Sequence, residues 1–414
     1  MFLSGDKSIS HRALVLNSIA QGTATISGLS VGADVLATQR CLKSLGVLIE
    51  PSADSDQVKI CGTDGTLQES EAILNAANSG TTMRLLAGLL AGQPVLSVLT
   101  GDNSLRSRPM NRVIRPLKLM GASVMGRNND TLAPLVIKGG RLDGIEYTLP
   151  VASAQVKSCV ILAALSAGGE TIIHQPATSR DHTERMIRAM GVPVDEDDLT
   201  LVVHPGRLKA TDITIPGDIS AAAFWLVAGA CHPNARLRLE NVGLNPGRTG
   251  ILEALQTMGA RITLEKQRFE GAEPVADLIV ESSSLEGVEI AGNIIPRVLD
   301  ELPILAVAAC FAKGTTIIKD ARELRVKESD RVKTTVLELS RLGASIEERP
   351  DGMVIHGLGQ LRGARVRSHR DHRLAMALGV VGLLCRGETL VEGANAAVVS
   401  YPRFWDHLRL LCNN

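Results

Sequence analysis

The amino-acid sequence predicts an α/β protein of two domains, each made of three copies of one helix–strand unit. A pattern of polar opening, Ala/Leu-rich helix, stop and short strand recurs six times, at a spacing of about 70 residues that suits a small βαβ-type module. The length of 414 residues is too long for one ordinary core and suits two domains of about 200 residues each. Six copies divide three and three, with the boundary predicted near Ile215, Pro216 and Gly217.

The polar openings mark the starts of six helices. Each is followed by about ten residues that are apolar nearly all round, such as RALVLNSIA or ILAVAACFA, which is typical of helices buried on most faces. Only 2% of the residues are aromatic, so Ala, Leu, Val and Ile must fill these interiors. The six openings are Lys7-Ser8, Ser79-Gly80-Thr81, Ser153-Ala154-Gln155, Gly217-Asp218-Ile219-Ser220, Asp300-Glu301 and Asp371-His372-Arg373.

Each of these helices is followed by a stop and a strand, in segments such as GTATISG, GQPVLSVL and NARLRLEN. The Gly or Asn of each stop is predicted to be left-handed, and the β-branched residues favour a strand. In five copies a second helix follows and closes on a Leu-Gly or Met-Gly pair. The sixth copy ends on a helix predicted from Arg403 to Leu411.

The composition excludes several classes of function. Lys plus Arg and Asp plus Glu both number 44, so the net charge favours neither nucleic acid nor a membrane surface. The longest apolar stretches, such as Ile304 to Ala312, have about half the length of a membrane span. The seven cysteines are scattered and the N-terminus has no signal-peptide pattern, so we expect a soluble, cytoplasmic protein. The neutral charge and the absence of an obvious exposed apolar helix predict a monomer.

The openings also predict an anion-binding site. Helix N-termini carry free backbone N–H groups and the positive end of the helix dipole. If the repeats stack around a pseudo-threefold axis, several of these ends point at one place, and a cleft between two such domains suits a ligand with phosphate and carboxylate groups. Basic residues, whose side chains suit the same ligand, lie near the openings: Lys7, Arg12, Arg84, Arg108, Arg180, Lys327, Arg331 and Arg373.

Two carboxylates stand in this basic setting. Asp300 begins a buried helix, and Glu328 lies between Lys327 and Arg331. A carboxylate among cations normally stays ionised, but it can donate or accept a proton if a substrate brings negative charge close by. From the spacing alone, a helix cap at Asp300 and a salt bridge at Glu328 fit as well as catalysis.

Several familiar signals fail. GDKS at Gly5 to Ser8 resembles the end of a nucleotide-binding P-loop, but the earlier glycine and the preceding strand are missing. His182 and Glu184 are two residues apart and face different sides of a helix, so no metal site is expected there. The sequence contains neither a G-x-S-x-G elbow nor a G-x-G-x-x-G fingerprint.

Eight motifs carry a resemblance to a known family. GDKSISHRA, NSGTTMR, SRPM, SAQVKS, SRDHTER, DELPILAVAA, ELRVKESDR and DHRLAMA follow one another from Gly5 onward. Together they resemble the motif set of the 5-enolpyruvylshikimate-3-phosphate synthase family. The resemblance implies transfer of the enolpyruvyl group of phosphoenolpyruvate to the 5-hydroxyl of shikimate 3-phosphate, without metal or cofactor, in aromatic amino-acid synthesis.

The resemblance also implies a fold. Each domain would contain three βαβαββ repeats around a pseudo-threefold axis, an inside-out α/β barrel, and the two domains would close over the substrates. The expected domains are residues 5–216 and 217–414, with residues 1–4 joining the second. Family members usually have a strand before the GDK motif, where only Met1 to Ser4 precede it here, so the completeness of the second domain's sheet stays open.

By the same resemblance, residue roles can be assigned. Asp300, Glu328 and Lys7 match the groups that transfer protons. The residues that would bind shikimate 3-phosphate are Lys7, Ser8, Arg12, Ser153, Ala154, Gln155, Ser179, Arg180, Asp300 and Lys327. Those that would bind phosphoenolpyruvate are Lys7, Gly80, Arg108, Gln155, Arg331 and Arg373.

Some positions depart from the family pattern. The NxTR element of the subgroup described as glyphosate-tolerant reads Asn245-Pro246-Gly247-Arg248, without the Thr, and position 80 is Gly rather than the Ala that accompanies tolerance. Sensitivity to this inhibitor therefore stays open. A C-terminal Lys that other members use for phosphoenolpyruvate is replaced near Val399 or Ser400.

Three alternative functions fit less well. The sister enolpyruvyl transferase acting on UDP-N-acetylglucosamine would have Lys-Asn in place of Lys7-Ser8 and usually a Cys in the loop from Gly101 to Met110. An RNA 3′-phosphate cyclase-like protein would need a basic surface. A non-catalytic anion-binding relative would not need the acidic pair Asp300 and Glu328.

Overall fold

The computed structural model describes residues 1–51 and 57–412. The chain divides into two compact units. The first contains Gly5–Ile215 together with Glu270–Glu273, and the second contains Met1–Ser4, Pro216–Phe269 and the chain from Pro274 onward. Each unit has its own apolar core. No helix in the described parts of the chain is long and apolar enough to cross a membrane.

The first unit alternates helices with short strands. Its helices are α1 (Lys7–Ser18), α2 (Ala33–Ser44), α3 (Gly80–Ala91), α4 (Asn111–Leu119), α5 (Arg127–Asp130), α6 (Ala154–Ala164) and α7 (His182–Ala189). Its strands are β1 (Thr23–Ser27), β2 (Leu48–Pro51), β3 (Gln57–Cys61), β4 (Leu74–Asn75), β5 (Leu96–Thr100), β6 (Ser123–Gly126), β7 (Leu132–Lys138), β8 (Glu146–Thr148), β9 (Thr171–His174), β10 (Val194–Asp197), β11 (Thr200–Val203) and β12 (Ile213–Thr214).

The second unit repeats this alternation. Its helices are α8 (Ile219–Cys231), α9 (Gly250–Thr257), α10 (Ile295–Val298), α11 (Leu302–Phe311), α12 (Arg331–Arg341), α13 (His372–Leu384) and α14 (Phe404–Cys412). Its strands are β13 (Arg236–Gly243), β14 (Arg261–Glu270), β15 (Glu273–Glu281), β16 (Glu289–Ile290), β17 (Gly314–Ile318), β18 (Ser345–Arg349), β19 (Gly352–Gly357), β20 (Arg365–Arg367) and β21 (Leu390–Glu392). The last helix starts one residue later than predicted.

Four sheets have the same topology. Their strand orders are β12-β1-β3-β2, β4-β5-β7-β6, β10-β11-β9-β8 and β16-β17-β19-β18. In each, an antiparallel hairpin flanks a central strand whose other edge pairs in parallel with a strand of two or three residues. Strand β12 returns from the end of the first unit to pair with β1.

Strand β13 has only isolated parallel bridges at the edge where the central strands of the four other sheets pair with a short parallel strand. It forms a sheet with β15 and β14, and its other edge has isolated parallel bridges from Phe2 to Glu240 and from Gly217 to Val242. The N-terminal amine of Met1 donates to the carbonyl of Arg238 at 2.7 Å. Residues 1–4 thus belong to the second unit.

The first helix of each repeat is buried, as its apolar pattern predicts. Helix α8 exposes none of Ile219 to Ala230, and α11 buries Leu302 to Cys310. Small residues permit very close packing: a Cβ added at Gly88 on α3 would lie 2.1 Å from the carbonyl oxygen of Cys159 on α6. The Ala- and Gly-rich composition of these helices follows from this approach.

The second helices end as the Leu/Met-Gly pattern indicates. Gly46, Gly121, Gly191, Gly259 and Gly343 have φ of 86°, 97°, 92°, 92° and 88°. These are left-handed values that favour glycine because it has no Cβ.

The left-handed prediction is wrong at three stops after the first helices: Gly92, the pair Gly168-Gly169, and Asn234 have no positive φ. Gly92 has φ of −90°, so the backbone conformation does not call for glycine, and a Cβ there would lie 1.9 Å from Ser166 Oγ and would displace that hydroxyl. Before Asn234, helix α8 ends when His232 becomes extended, because Pro233 disfavours a helical residue before it.

Candidate active site

Three helix N-termini of the first unit carry the predicted openings. Each is capped by the residue before it. Asp6 Oδ1 accepts from the N–H of Ile9 at 2.9 Å, and Ser79 Oγ accepts from that of Thr82 at 3.1 Å. Ser153 Oγ accepts from the N–H of Val156 at 3.5 Å. Lys7, Gly80 and Ala154 are therefore the first residues of α1, α3 and α6, at the positive ends of the helix dipoles.

Helix α1 lies beside several of the residues predicted to bind shikimate 3-phosphate. Lys7 Nζ lies 3.1 Å from Asp34 Oδ2, and Ser8 Oγ accepts from Arg180 Nη1 at 3.4 Å. Ser179, next to Arg180, donates its hydroxyl to Gln175 Oε1 at 3.1 Å. The structure thus places Ser8 and Arg180 together although 172 residues separate them along the chain.

Arg12 is the most enclosed cation of this group, with 2% of its surface exposed. Its Nε donates to Thr183 Oγ1 and its Nη2 to Ser158 Oγ, both at 2.7 Å, and Nη1 donates to the carbonyl of Ser8 at 3.0 Å. Burial lowers the pKa of Arg12 to about 10, although the nearby Glu184 carboxylate opposes this shift. Hydroxyl groups therefore orient this arginine without neutralising it.

Two arginines stand beside the N-terminus of α3. Arg84 donates to Gln155 Oε1, whose Nε2 donates to Thr81 Oγ1 at 2.8 Å. Arg108 Nη2 donates to Asn78 Oδ1 at 2.8 Å and to Ser104 Oγ at 3.2 Å. A Cβ at Gly80 would lie 2.9 Å from Arg84 Nη1 and 3.5 Å from Arg108 Nη1. The glycine thus leaves room for both guanidinium groups.

The second unit centres on Arg331, the first residue of α12. Its side chain is 2% exposed, and it contacts three carboxylates: Asp371 Oδ2 at 2.8 Å, Glu328 Oε2 at 2.6 Å and Asp300 Oδ1 at 3.3 Å. Burial lowers the pKa of Arg331, but the three carboxylates together raise it by more than burial lowers it, so the net shift is upward. Arg331 is therefore a permanent cation with acidic groups on each of its nitrogens.

The sequence left a structural alternative open for each of the two carboxylates, a helix cap for Asp300 and a salt bridge for Glu328, and only the second is present in the structure. Asp300 lies in a 3₁₀ turn before α11 and does not cap this helix with its side chain, because Glu301 occupies the cap position. Glu328 does form the salt bridge with Arg331. Both carboxylates are partly exposed, at 20% and 16% of the side chain.

Lys327 and Arg373 complete this cluster. Burial lowers the pKa of Lys327, against an opposing effect of Asp300. Asp371 caps α13 by accepting from the N–H of Arg373 at 2.9 Å, and Arg373 Nη1 lies 3.9 Å from Glu301 Oε1. In residues 1–51 and 57–412, no group of three or more His, Cys, Asp or Glu side chains could hold a metal ion.

Sequence reasoning missed a second buried arginine network. Arg248 has 2% of its side chain exposed. Its Nη2 lies 3.2 Å from Asp218 Oδ1 and 3.8 Å from Glu301 Oε1, and it also donates to Ser220 Oγ. Because Ser220 in turn donates to Glu301, these groups connect the N-termini of α8 and α11. The sequence feature that could have indicated this network is the acidic residue before each helix, Asp218 before α8 and Glu301 before α11, together with Arg248 just before α9.

Fold and site together define an α/β enzyme that acts on anionic substrates. Cations at helix N-termini suit phosphate and carboxylate groups. The buried Arg331 also fixes the positions of the carboxylates of Asp300 and Glu328.

Comparison with known proteins gives the family. The sequence model of EPSP synthase, 3-phosphoshikimate 1-carboxyvinyltransferase, matches residues 2–408. The chain belongs to this family, which confirms the resemblance of the eight motifs.

Individual relatives agree along the whole chain. The 3-phosphoshikimate 1-carboxyvinyltransferase of Crocosphaera subtropica is 53% identical over 418 residues, covering 100% of this chain and 92% of the relative. That of Bacillus anthracis is 51% identical over 410 residues, covering 99% and 95%. A 2.37 Å structure of EPSP synthase from Acinetobacter baumannii superposes with a TM-score of 0.88 at 41% identity, covering 99% of this chain and 94% of that one.

Proposed function

We propose that the clusters of the two units divide the work of one reaction, the first holding the acceptor substrate and the second transferring protons. The reaction follows from the family: the enzyme transfers the enolpyruvyl group of phosphoenolpyruvate to the 5-hydroxyl of shikimate 3-phosphate and releases phosphate, in the shikimate pathway to aromatic amino acids. The observation that carries the proposal is that the single guanidinium group of Arg331 forms ion pairs with both Asp300 and Glu328.

Shikimate 3-phosphate binds chiefly to the first unit in this proposal. The N-termini of α1 and α6, with Arg12 and Arg180, supply N–H groups, hydroxyls and positive charge of the kind that phosphate prefers. The full set is Lys7, Ser8, Arg12, Ser153, Ala154, Gln155, Ser179 and Arg180, with Asp300 and Lys327 from the second unit.

Phosphoenolpyruvate binds to cations of both units. Arg331 is the first residue of α12, and Arg373 is the second residue of α13. Arg108 lies beside Gly80 at the start of α3. Lys7 and Gln155 complete this set. The guanidinium groups suit the carboxylate and the phosphate of the substrate through paired hydrogen bonds.

Proton transfer is assigned to Asp300 and Glu328, with Lys7 as a further donor. The 5-hydroxyl oxygen forms a bond to C2 of phosphoenolpyruvate and gives up its proton to a base, while an acid protonates the methylene carbon to a methyl group. The tetrahedral intermediate then loses phosphate, and a proton leaves the methyl group to restore the double bond. Each positioned acid or base contributes about 10²–10⁴ in rate.

The fold assignment extends to the repeats. We propose that each unit is one domain with three repeats around a pseudo-threefold axis, an inside-out α/β barrel. The shared sheet topology and the return of β12 to β1 support this arrangement in the first unit. We also propose that residues of both domains act on the same pair of substrates, and that the enzyme works as a cytoplasmic monomer.

The experiment that tests the function is phosphate release from phosphoenolpyruvate, with and without shikimate 3-phosphate. UDP-N-acetylglucosamine serves as the alternative acceptor. We expect release only with shikimate 3-phosphate, and a loss of about 10²-fold or more in kcat for Asp300→Ala. Release with UDP-N-acetylglucosamine, or full activity of Asp300→Ala, would contradict the assignment.

A further inference from the structure

A buried ion pair in the first unit lies outside the predicted substrate contacts. Lys157 Nζ lies 2.7 Å from Glu184 Oε1, with 2% and 1% of the two side chains exposed. Lys157 is on α6, two residues after Gln155, and Glu184 is on α7, four residues after Arg180. The pair therefore joins the two segments that carry predicted contacts to shikimate 3-phosphate.

Such a pair is not explained by stability alone. Removing two charges from water costs several kcal/mol for each ion, and apolar residues of similar volume often replace a buried pair without loss of stability. Both side chains sit in a unit with an extensive apolar core of its own. A role in holding particular neighbours in place accounts better for their presence.

The neighbours of the pair are groups assigned to substrate binding. Lys157 Nζ also donates to the carbonyl oxygen of Ser179 at 3.3 Å, which fixes the backbone just before Arg180. Ser158 and Thr183, the residues next to Lys157 and Glu184, share one hydrogen bond between their hydroxyl groups at 2.7 Å. The same two hydroxyls accept the hydrogen bonds of Arg12. The ion pair thus fixes the two helices that orient this arginine.

We propose that Lys157 and Glu184 are positioning residues for shikimate 3-phosphate, which hold Arg12, Ser179 and Arg180 at the spacing that the substrate requires. This inference rests on the proposed assignment of those three residues to that substrate. Neither Lys157 nor Glu184 touches the reacting atoms, so their loss weakens acceptor binding and leaves phosphoenolpyruvate binding in place.

The charge of Glu184 gives a second, electrostatic effect. Burial lowers the pKa of Arg12 to about 10; Glu184, Asp6 and Glu273 raise it, and Arg180 lowers it. Glu184 is the largest of the charge effects that keep Arg12 protonated. Without this carboxylate the positive charge of Arg12 is less well compensated in its buried site, so the guanidinium group is held less firmly for the substrate anion.

The test compares Glu184→Gln, Lys157→Met and the double variant Lys157→Met/Glu184→Met with the wild type. We expect KM for shikimate 3-phosphate to rise about tenfold, as for a lost hydrogen bond to a charged group, with kcat and KM for phosphoenolpyruvate nearly unchanged. Glu196→Gln is the matched control. Glu196 forms an exposed ion pair, at 3.1 Å, with Arg188, which lies on the same helix as Glu184.

The double variant keeps the test decisive if a single substitution prevents folding, since it leaves no unpaired buried charge. Thermal unfolding reports the folded state of each variant. A folded double variant with unchanged KM for shikimate 3-phosphate would overturn the proposal, as would an equal rise in both KM values or a double variant that does not fold. Ser179→Ala distinguishes failure of the positioning role from failure of the substrate assignment. If it also leaves KM for shikimate 3-phosphate unchanged, the assignment of Ser179 to this substrate is wrong as well.

Discussion

The two units use the same helix–strand repeat but surround their buried cations differently. In the first unit, Arg12 is held by the hydroxyls of Ser158 and Thr183. In the second unit, Arg331 is held by three carboxylates, and Arg248 by two more. Hydroxyls orient an arginine without adding negative charge beside it, whereas carboxylates add negative charge and supply groups that can carry protons. One scaffold thus gives binding or acid–base chemistry according to which side chains stand at its helix openings.

The largest expected effect that sharpens this contrast is on kcat in the second unit. Glu328→Gln keeps the size of the side chain but removes a group that can transfer a proton. We expect kcat to fall by about 10²–10⁴, with little change in either KM. Steady-state kinetics of phosphate release measure this. Glu347→Gln, which changes an exposed carboxylate of the same unit, should behave as the wild type. A Glu328→Gln variant that lost only substrate affinity would place this carboxylate among the binding residues.

The next effect concerns stability. Arg248→Met leaves Asp218 and Glu301 buried without the cation between them. Breaking a buried ion pair costs about 3–5 kcal/mol, so we expect this loss in the free energy of unfolding measured with urea. The control is Arg236→Met, since Arg236 is 71% exposed in its pair with Glu281. Equal stability of both variants would mean that the arginine does not hold the acidic network together.

A smaller effect is expected on pH dependence. Burial lowers the pKa of Lys327, so this lysine loses its proton at a lower pH than an exposed lysine. Its attraction for an anion is present below the lowered pKa and is lost as the pH rises through it. KM for shikimate 3-phosphate should therefore rise on the alkaline side.

Lys327→Arg should move this alkaline rise to higher pH, because arginine keeps its proton across the range. The pH profile of KM checks this, with the exposed Lys333→Arg as control. An unmoved profile would show that another group titrates there.

Much of the local structure could be predicted from the sequence, because it depends on neighbouring residues. The helix starts at Lys7, Gly80 and Ala154 follow from the capping residues before them. The five Leu/Met-Gly closures follow from the freedom of glycine to take a positive φ.

The partners of the buried charges could not be predicted in this way. Arg12 and Thr183 are 171 residues apart, and Arg331 and Asp371 are 40 apart. Which helix ends meet is decided by packing within each unit, and one sequence does not record it. The φ of −90° at Gly92 and its close approach to Ser166 likewise depend on packing that one sequence does not record.

The central claim, that the first unit chiefly holds shikimate 3-phosphate and the carboxylates of the second unit transfer protons, is tested most directly by measuring kcat and both KM values for Ser179→Ala and Asp300→Asn side by side. The account predicts that Ser179→Ala raises KM for shikimate 3-phosphate about tenfold at nearly constant kcat. It predicts that Asp300→Asn lowers kcat by about 10²-fold or more. The same pattern of change in both variants would contradict a division of labour between the units.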